Sequence, residues 1–296
     1  MKTSSFPLIH NRKAMVGALI VAFILAVAIA APLLTSYDPG ARVGRPHQSP
    51  SLEHWLGTTR IGQDVFARLI YGARTSLAVG FGAGLLITIV GTALGIIAGY
   101  RGGKIDEVIS FFTNMVLVVP NLPLLLVLAA FIGQASPWVI ALILGCTSWA
   151  WGARVTRAET LSVKQKDYVK SGEMMGEPRW RIMTFEIFPN LISIVGINFI
   201  GSVIFAIITQ ATLEFLGLGD PKVVSWGTML YAAQKASALS VGAWWDILTP
   251  CFALAFLGIG LSLLNFAVDE IANPRLRTGN RLGRWSALIR SGEGRL

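Results

Sequence analysis

Residues 154–190 read RVTRAETLSVKQKDYVKSGEMMGEPRWRIMTFEIFPN, a charged island in an otherwise apolar chain. Uncharged runs long enough to cross a bilayer flank it on both sides, so it is a loop at a membrane face, large enough to fold. Asp167 is placed to cap a short helix reaching about Met175, and Gly176 suits the left-handed stop that follows. Glu177-Pro178 restarts a second helix with proline in its first turn, and Pro189 closes it. On that helix Trp180, Met183, Ile187 and Phe188 share one face, with Arg179, Arg181 and Glu186 elsewhere. Two short helices on such a loop are expected to be gripped by another protein.

Composition agrees with a membrane setting. The 296 residues are 53% hydrophobic and 14% charged, against roughly 25% charged in soluble domains. Mean hydropathy is +0.61. Six spans are read, at 14–34, 75–100, 107–133, 137–153, 188–214 and 248–268, which makes the fold class an all-α membrane protein. With residues 1–13 inside, the inside segments hold 18 of the 25 lysines and arginines, the outer ones seven. That asymmetry places both termini and the 154–187 loop in the cytoplasm, and 35–74 and 215–247 outside. It also accounts for the net charge of +9 without nucleic acid.

The first span carries Arg12-Lys13 ahead of 21 uncharged residues, longer than a signal peptide's apolar core, although Ala28-Ile29-Ala30 imitates a cleavage site. An uncleaved anchor is expected. In 65–74, Val65, Phe66, Leu69 and Ile70 make an apolar stripe, as in a helix lying along the membrane surface. Gly91, Gly95 and Gly99 put a small-residue groove on one face of the second span, where another helix can approach. Arg101-Gly102-Gly103-Lys104 lacks the first glycine and the final Ser/Thr of a phosphate loop, so this chain is not expected to hydrolyse ATP.

Residues 108–153 are uncharged and too many for one crossing; 133–137 breaks them into a hairpin. Pro120 and Pro123 must kink or unwind the third span, which makes Asn121 either a pathway residue or part of a packed kink. Asn198, Ser202, Thr209 and Gln210 on the fifth span face either a water-filled path or neighbouring helices. Trp226, Trp244 and Trp245 suit an interface belt, and the basic tail 269–296 suits anionic lipid. Cys146 and Cys251 are expected as buried small hydrophobes, and His10, His47 and His54 have no clustered partners. No catalytic set and no metal site emerges.

The motifs carry a resemblance. KSGEMMG, then PRWRI and FPN, resembles the EAA loop of binding-protein-dependent ABC importers, with Lys170, Ser171 and Gly172 at the Glu-Ala-Ala positions and Gly176 at the glycine. HWLGTTRIGQDVFARLIYGARTSL, LEFLGLGD with SWGTML, and WWDILTP before NFAVD and NPR resemble the dipeptide/oligopeptide permease family. Lys170 stands where the family has glutamate, Thr59 and Asn273 where it has aspartate, Cys251 where it has glycine, and Glu214 where it has a small residue.

The resemblance implies a type I importer permease. Tyr168, Lys170, Ser171, Gly172, Gly176, Glu177, Arg179, Trp180 and Met183 would couple it to an ATPase. Its partners would be a second, homologous permease, two ATP-binding subunits and an extracytoplasmic substrate-binding protein, in a bacterial or archaeal cytoplasmic membrane. ATP and magnesium would be held by the partner subunits, and no cofactor by this chain. The cargo would be di- or oligopeptides, or oligosaccharides, toward which the short LGLGDPKVVSWGTML stretch leans. A self-contained secondary transporter or channel for small solutes is the alternative, but proton or sodium coupling usually leaves ionisable groups at mid-membrane, and the six spans have none away from their ends.

Overall fold

A computed structural model describes residues 11–272. Helix is the only regular structure among them, beside two isolated bridges, Thr58 with Asp64 and Ala135 with Gly219. Four helices are long and apolar enough to cross a membrane, or six if each of two bent pairs is one span. Most of the N-terminal tail, and the basic tail from Asn273 with its NPR motif, lie outside the described residues.

α1 (Arg12–Ile29) starts at Asn11, whose side chain accepts from the Lys13 N–H. The expected span to Leu34 is cut at Ala30, because Pro32 brings no N–H to the ladder, and a separate turn follows, α2 (Ala31–Leu34). The stretch 35–64 folds through turns around one buried pair. His54, which has no partner in the sequence pattern, sets Nδ1 2.8 Å from Asp64 Oδ2. The other Asp64 oxygen accepts from the Ala67 N–H at 2.7 Å and caps α3 (Val65–Arg101).

α3 runs 37 residues without a break, so the surface helix expected over 65–74 is instead its first turns. Their apolar stripe is covered by protein: Val65 and Leu69 pack in one core with Trp226, Met229 and Trp245, and Ile70 is buried. Arg74 reaches across to the last turn of α1, donating to the carbonyls of Ala28 and Ile29 at 2.5 and 2.9 Å. Two of the three belt tryptophans are pins in this layer. Trp226 donates to the Leu69 carbonyl at 3.0 Å and Trp245 to that of Thr58 at 3.3 Å; Trp244 alone is exposed. An indole buries a large apolar body once its N–H has an acceptor.

After Gly102, in a left-handed conformation at φ 66°, come α4 (Gly103–Val118) and α5 (Asn121–Ile132). The expected third span is bent here by 85°. Pro120 caps α5, and Pro123 falls in its first turn, where a missing N–H costs nothing. Gly133 ends α5, and the Ser136 side chain accepts from Val139 N–H to start α6 (Pro137–Thr147). The fourth span does not end at 153. It breaks at Ser148-Trp149, bends by 41°, and continues as α7 (Ala150–Lys164) into the region expected as loop.

α3 and α7 touch backbone to backbone. A Cβ on Gly91 would lie 2.9 Å from the Trp149 carbonyl oxygen, one on Gly95 2.7 Å from that of Ala153, and one on Gly99 2.9 Å from that of Arg157. Nearer the start of α3, Gly80 and Gly84 admit Ile207 and Val203.

α8 (Asp167–Met174) follows, with Lys166 rather than Asp167 at its N-cap and Gly176 left-handed at φ 75°. α9 (Arg179–Arg181) begins just after Pro178 and does not stop at Pro189. It passes through a π-helical stretch, Ile182–Ile187, into α10 (Phe188–Phe215). The Phe188 N–H bonds to the Met183 carbonyl five residues back, a wider ladder that absorbs the N–H Pro189 lacks. The buried residues here are Ile182 and Ile187, whereas Trp180 and Phe188 are exposed.

α10 is bolted to α11 (Trp226–Lys235) by a buried carboxylate. Glu214 accepts from Gln210 Nε2 at 2.9 Å and from the Ser225 hydroxyl at 2.5 Å. α12 (Trp244–Ala272) closes the bundle against α1 and α10. Cys146 and Cys251 are free and lie exposed on α6 and α12, not buried as expected.

Two stability predictions follow from this packing. Gly95→Leu should lower the apparent Tm of the detergent-solubilised protein, by the equivalent of about 1–3 kcal/mol, whereas Gly201→Ala, with nothing within 4 Å, should not. Gln210→Leu removes one of the two donors on buried Glu214 and should destabilise by about 1–3 kcal/mol in the same assay.

Candidate translocation and coupling site

The 154–187 region is held to the bundle by its own core. Ile96 and Tyr100 of α3 pack with Val163, Val169, Ile182, Ile187 and Leu191. Lys164 donates to the Tyr100 carbonyl at 2.7 Å, capping the C-terminal end of α3, and its ammonium lies 5.4 Å from the tyrosine ring centre. Gly172 is buried, and a Cβ there would lie 3.7 Å from Glu177 Oε2 and 3.8 Å from Ile182, so this position faces the loop's own packing.

The remaining residues expected to couple divide by exposure. Tyr168, Lys170, Ser171, Gly176, Arg179 and Trp180 are exposed, and Met183 is half-buried. The Ser171 hydroxyl donates to the Asp167 carbonyl at 2.9 Å, and Glu177 accepts from Arg181 at 2.6 Å. Around Gly176 the surface is strongly apolar: Met174 is 86% exposed, Met175 75% and Trp180 61%. Phe185 meets Trp180 edge-on with ring centres 6.4 Å apart. Met174, Met175 and Phe185 are additions to the expected set, and the Met-Met pair inside a charged stretch was their signal in the sequence.

Above this core, toward the middle of the bundle, lies a cavity of about 560 Å³. Both helix breaks open onto it. Val119 and Pro120 come from the α4–α5 break, Thr147 and Ser148 from the α6–α7 break, and Asn121 Nδ2 donates to Ser148 Oγ at 3.3 Å across them. Asn198 and Ser202 of α10 join the wall. So does Asn265 of α12, which the sequence reading missed although it is an amide inside a long uncharged run. Asn198 Nδ2 and Asn265 Oδ1 have no hydrogen-bond partner among the described residues. The described lining holds no ionisable side chain. Thr209 and Gln210, the other two expected pathway residues, are buried away from it, Gln210 against Glu214.

A second cavity, of about 280 Å³, continues down the same α4–α7 groove toward the loop, between Ser110, Thr113 and Asn114 on one side and Arg154 and Arg157 on the other. Arg157 grips Asp106 through two bonds, Nε to Oδ1 at 2.5 Å and Nη2 to Oδ2 at 2.6 Å. This bidentate, charge-assisted contact ties α4 to α7. Arg154 donates from Nη2 to Asn114 Oδ1 at 2.8 Å.

An uncharged cavity at two helix breaks, joined by a rigid helix to an exposed apolar loop, is an arrangement for moving a solute under the control of another protein. Comparison with known proteins agrees. Residues 91–278 match the family described as binding-protein-dependent transport system inner membrane component, and residues 7–51 match the N-terminal TM domain of oligopeptide transport permease C. The dipeptide transport system permease protein DppC of Bacillus subtilis (strain 168) is 31% identical over 90% of this chain and 83% of its own. The oligopeptide transport system permease protein OppC of the same strain is 31% identical over 90% and 87%. The glutathione transport system permease protein GsiD of Pectobacterium atrosepticum is 31% identical over 91% and 89%. The chain therefore belongs to the family of inner membrane components of binding-protein-dependent transport systems.

Proposed function

We propose that this chain forms half of the translocation pathway of an ATP-driven importer for peptides and docks an ATPase through Met174, Met175, Gly176, Trp180 and Phe185. The observation that carries the reading is that apolar surface, exposed on a loop whose core is anchored to α3. Surface of this kind, rimmed by Lys170 and Arg179, is characteristic of a protein-binding site. A homologous second permease, two ATP-binding subunits carrying ATP and magnesium, and an extracytoplasmic binding protein complete the assembly. The loop and both termini face the cytoplasm, in line with the charge asymmetry.

Coupling would run through rigid bodies. Closure of the ATPases displaces α8; α7, seamed to α3, and the continuous α9–α10 helix carry that displacement to the two breaks around the cavity. The names of the dipeptide, oligopeptide and glutathione relatives favour a peptide cargo; the oligosaccharide expected from the 216–230 stretch has no counterpart in them.

Gly176 offers the test. No described residue lies within 4 Å of the position a Cβ would take, yet its φ of 75° strains most side chains. Gly176→Trp should abolish ATP-dependent peptide uptake and ATPase stimulation in the reconstituted complex while the chain still inserts. Gly176→Asn, which tolerates the left-handed conformation, should retain most of both. Wild-type uptake by the tryptophan variant would refute docking at this surface.

A further inference from the structure

We propose that Arg154 receives the carboxylate of the translocated substrate at the loop end of the pathway. The inference rests on the peptide-importer reading, since it needs a cargo that carries a carboxylate.

The two cavities are consecutive along one groove. On α7 the first is lined by Ala150, Trp151 and Gly152 and the second by Ala153, Arg154 and Arg157. On α4 the first takes residues from Val116 upward and the second takes Asn114 and below. Arg154 follows Trp151 by three residues, about 4.5 Å along the helix axis. It is therefore among the first charged groups a solute meets on leaving the neutral cavity.

Its charge is also free to act. Arg157, the other cation of the second cavity, is neutralised by the bidentate contact with Asp106. Arg154 makes no ion pair among the described residues, and Asn114, a neutral amide, takes one of its five N–H donors. A carboxylate binds a guanidinium through two charge-assisted bonds, each stronger than one to an amide oxygen, so it can displace Asn114. The Arg154–Asn114 bond ties α4 to α7, and its exchange for a substrate bond would loosen that tie as the solute arrives. Ser110 and Thr113 leave the surroundings polar without adding a competing anion.

The test uses the complete importer in phosphatidylcholine vesicles with saturating binding protein. It compares uptake of one peptide as free acid and as C-terminal amide, and the ratio is compared between variants, so any preference of the binding protein cancels. Arg154→Gln should lower the acid-to-amide ratio about tenfold, the factor expected for one charge-assisted hydrogen bond, and Arg154→Lys should recover most of it. Asn114→Ala, which removes the competing acceptor, should not lower the ratio.

An unchanged ratio in Arg154→Gln, or an equal fall for acid and amide, would overturn the assignment and leave Arg154 as a strut between α4 and α7. An effect of Arg154→Gln that appears only after phosphatidylglycerol is added would overturn it in favour of a lipid headgroup. Wild-type vesicles that take up peptide with the ratio unmoved by Arg154→Gln sink this inference alone. Wild-type vesicles that take up no peptide sink the importer reading together with it.

Discussion

The close approach of α3 and α7 is the constraint on which the rest of the molecule depends. Inside a bilayer, lipid is as apolar as leucine, so helices gain little by hiding side chains from it and associate through dispersion and backbone proximity. Gly91, Gly95 and Gly99 remove the side-chain layer from one face of α3, and the carbonyls of Trp149, Ala153 and Arg157 occupy the space. Both partners are then fixed along several turns. α7 has the cavity at its first residue and the exposed apolar loop at its last, so the seam sets the distance and angle between the two.

The second theme is how the chain handles polar groups that the bilayer does not solvate. Breaking a helix inside a membrane frees carbonyls and N–H groups, tolerable only beside protein or water. Here the two breaks lie on one cavity and supply its polarity together with Asn121, Asn198, Ser202 and Asn265. Charges are treated differently: Glu214 is buried among hydrogen-bond donors, and Asp106 is gripped by Arg157. The described lining of the larger cavity is thus polar but free of fixed charge.

Much of this was legible in the sequence, and the exceptions share a cause. Long uncharged runs, the prolines at 120 and 123, the 133–137 turn and the glycine spacing are local signals, and they announced helices, a bend, a hairpin and a groove. What escaped notice depends on partners far along the chain. Trp226 and Trp245 read as interface residues because their acceptors, the carbonyls of Leu69 and Thr58, are more than 150 residues away. Gln210 read as a pathway residue because α11, which buries it beside Glu214, is a short helix inside an expected loop. The π-helical stretch escaped because Pro189 ordinarily ends a helix, and a widened ladder leaves no mark in composition. At the site, the amides of α10 were visible as polar residues in an apolar run, but which of them turns inward is decided by neighbours.

The pairing of α1 with α12 bears on how the protein is made. A Cβ on Gly17 would lie 2.7 Å from the Gly260 carbonyl oxygen, and Asn11 and Lys13 bond to Glu270 at 2.8 and 2.5 Å. α1 therefore cannot complete its packing until α12, more than 200 residues further along the chain, has been made. A chain cut short before α12 leaves the Gly17 notch without the backbone that fills it.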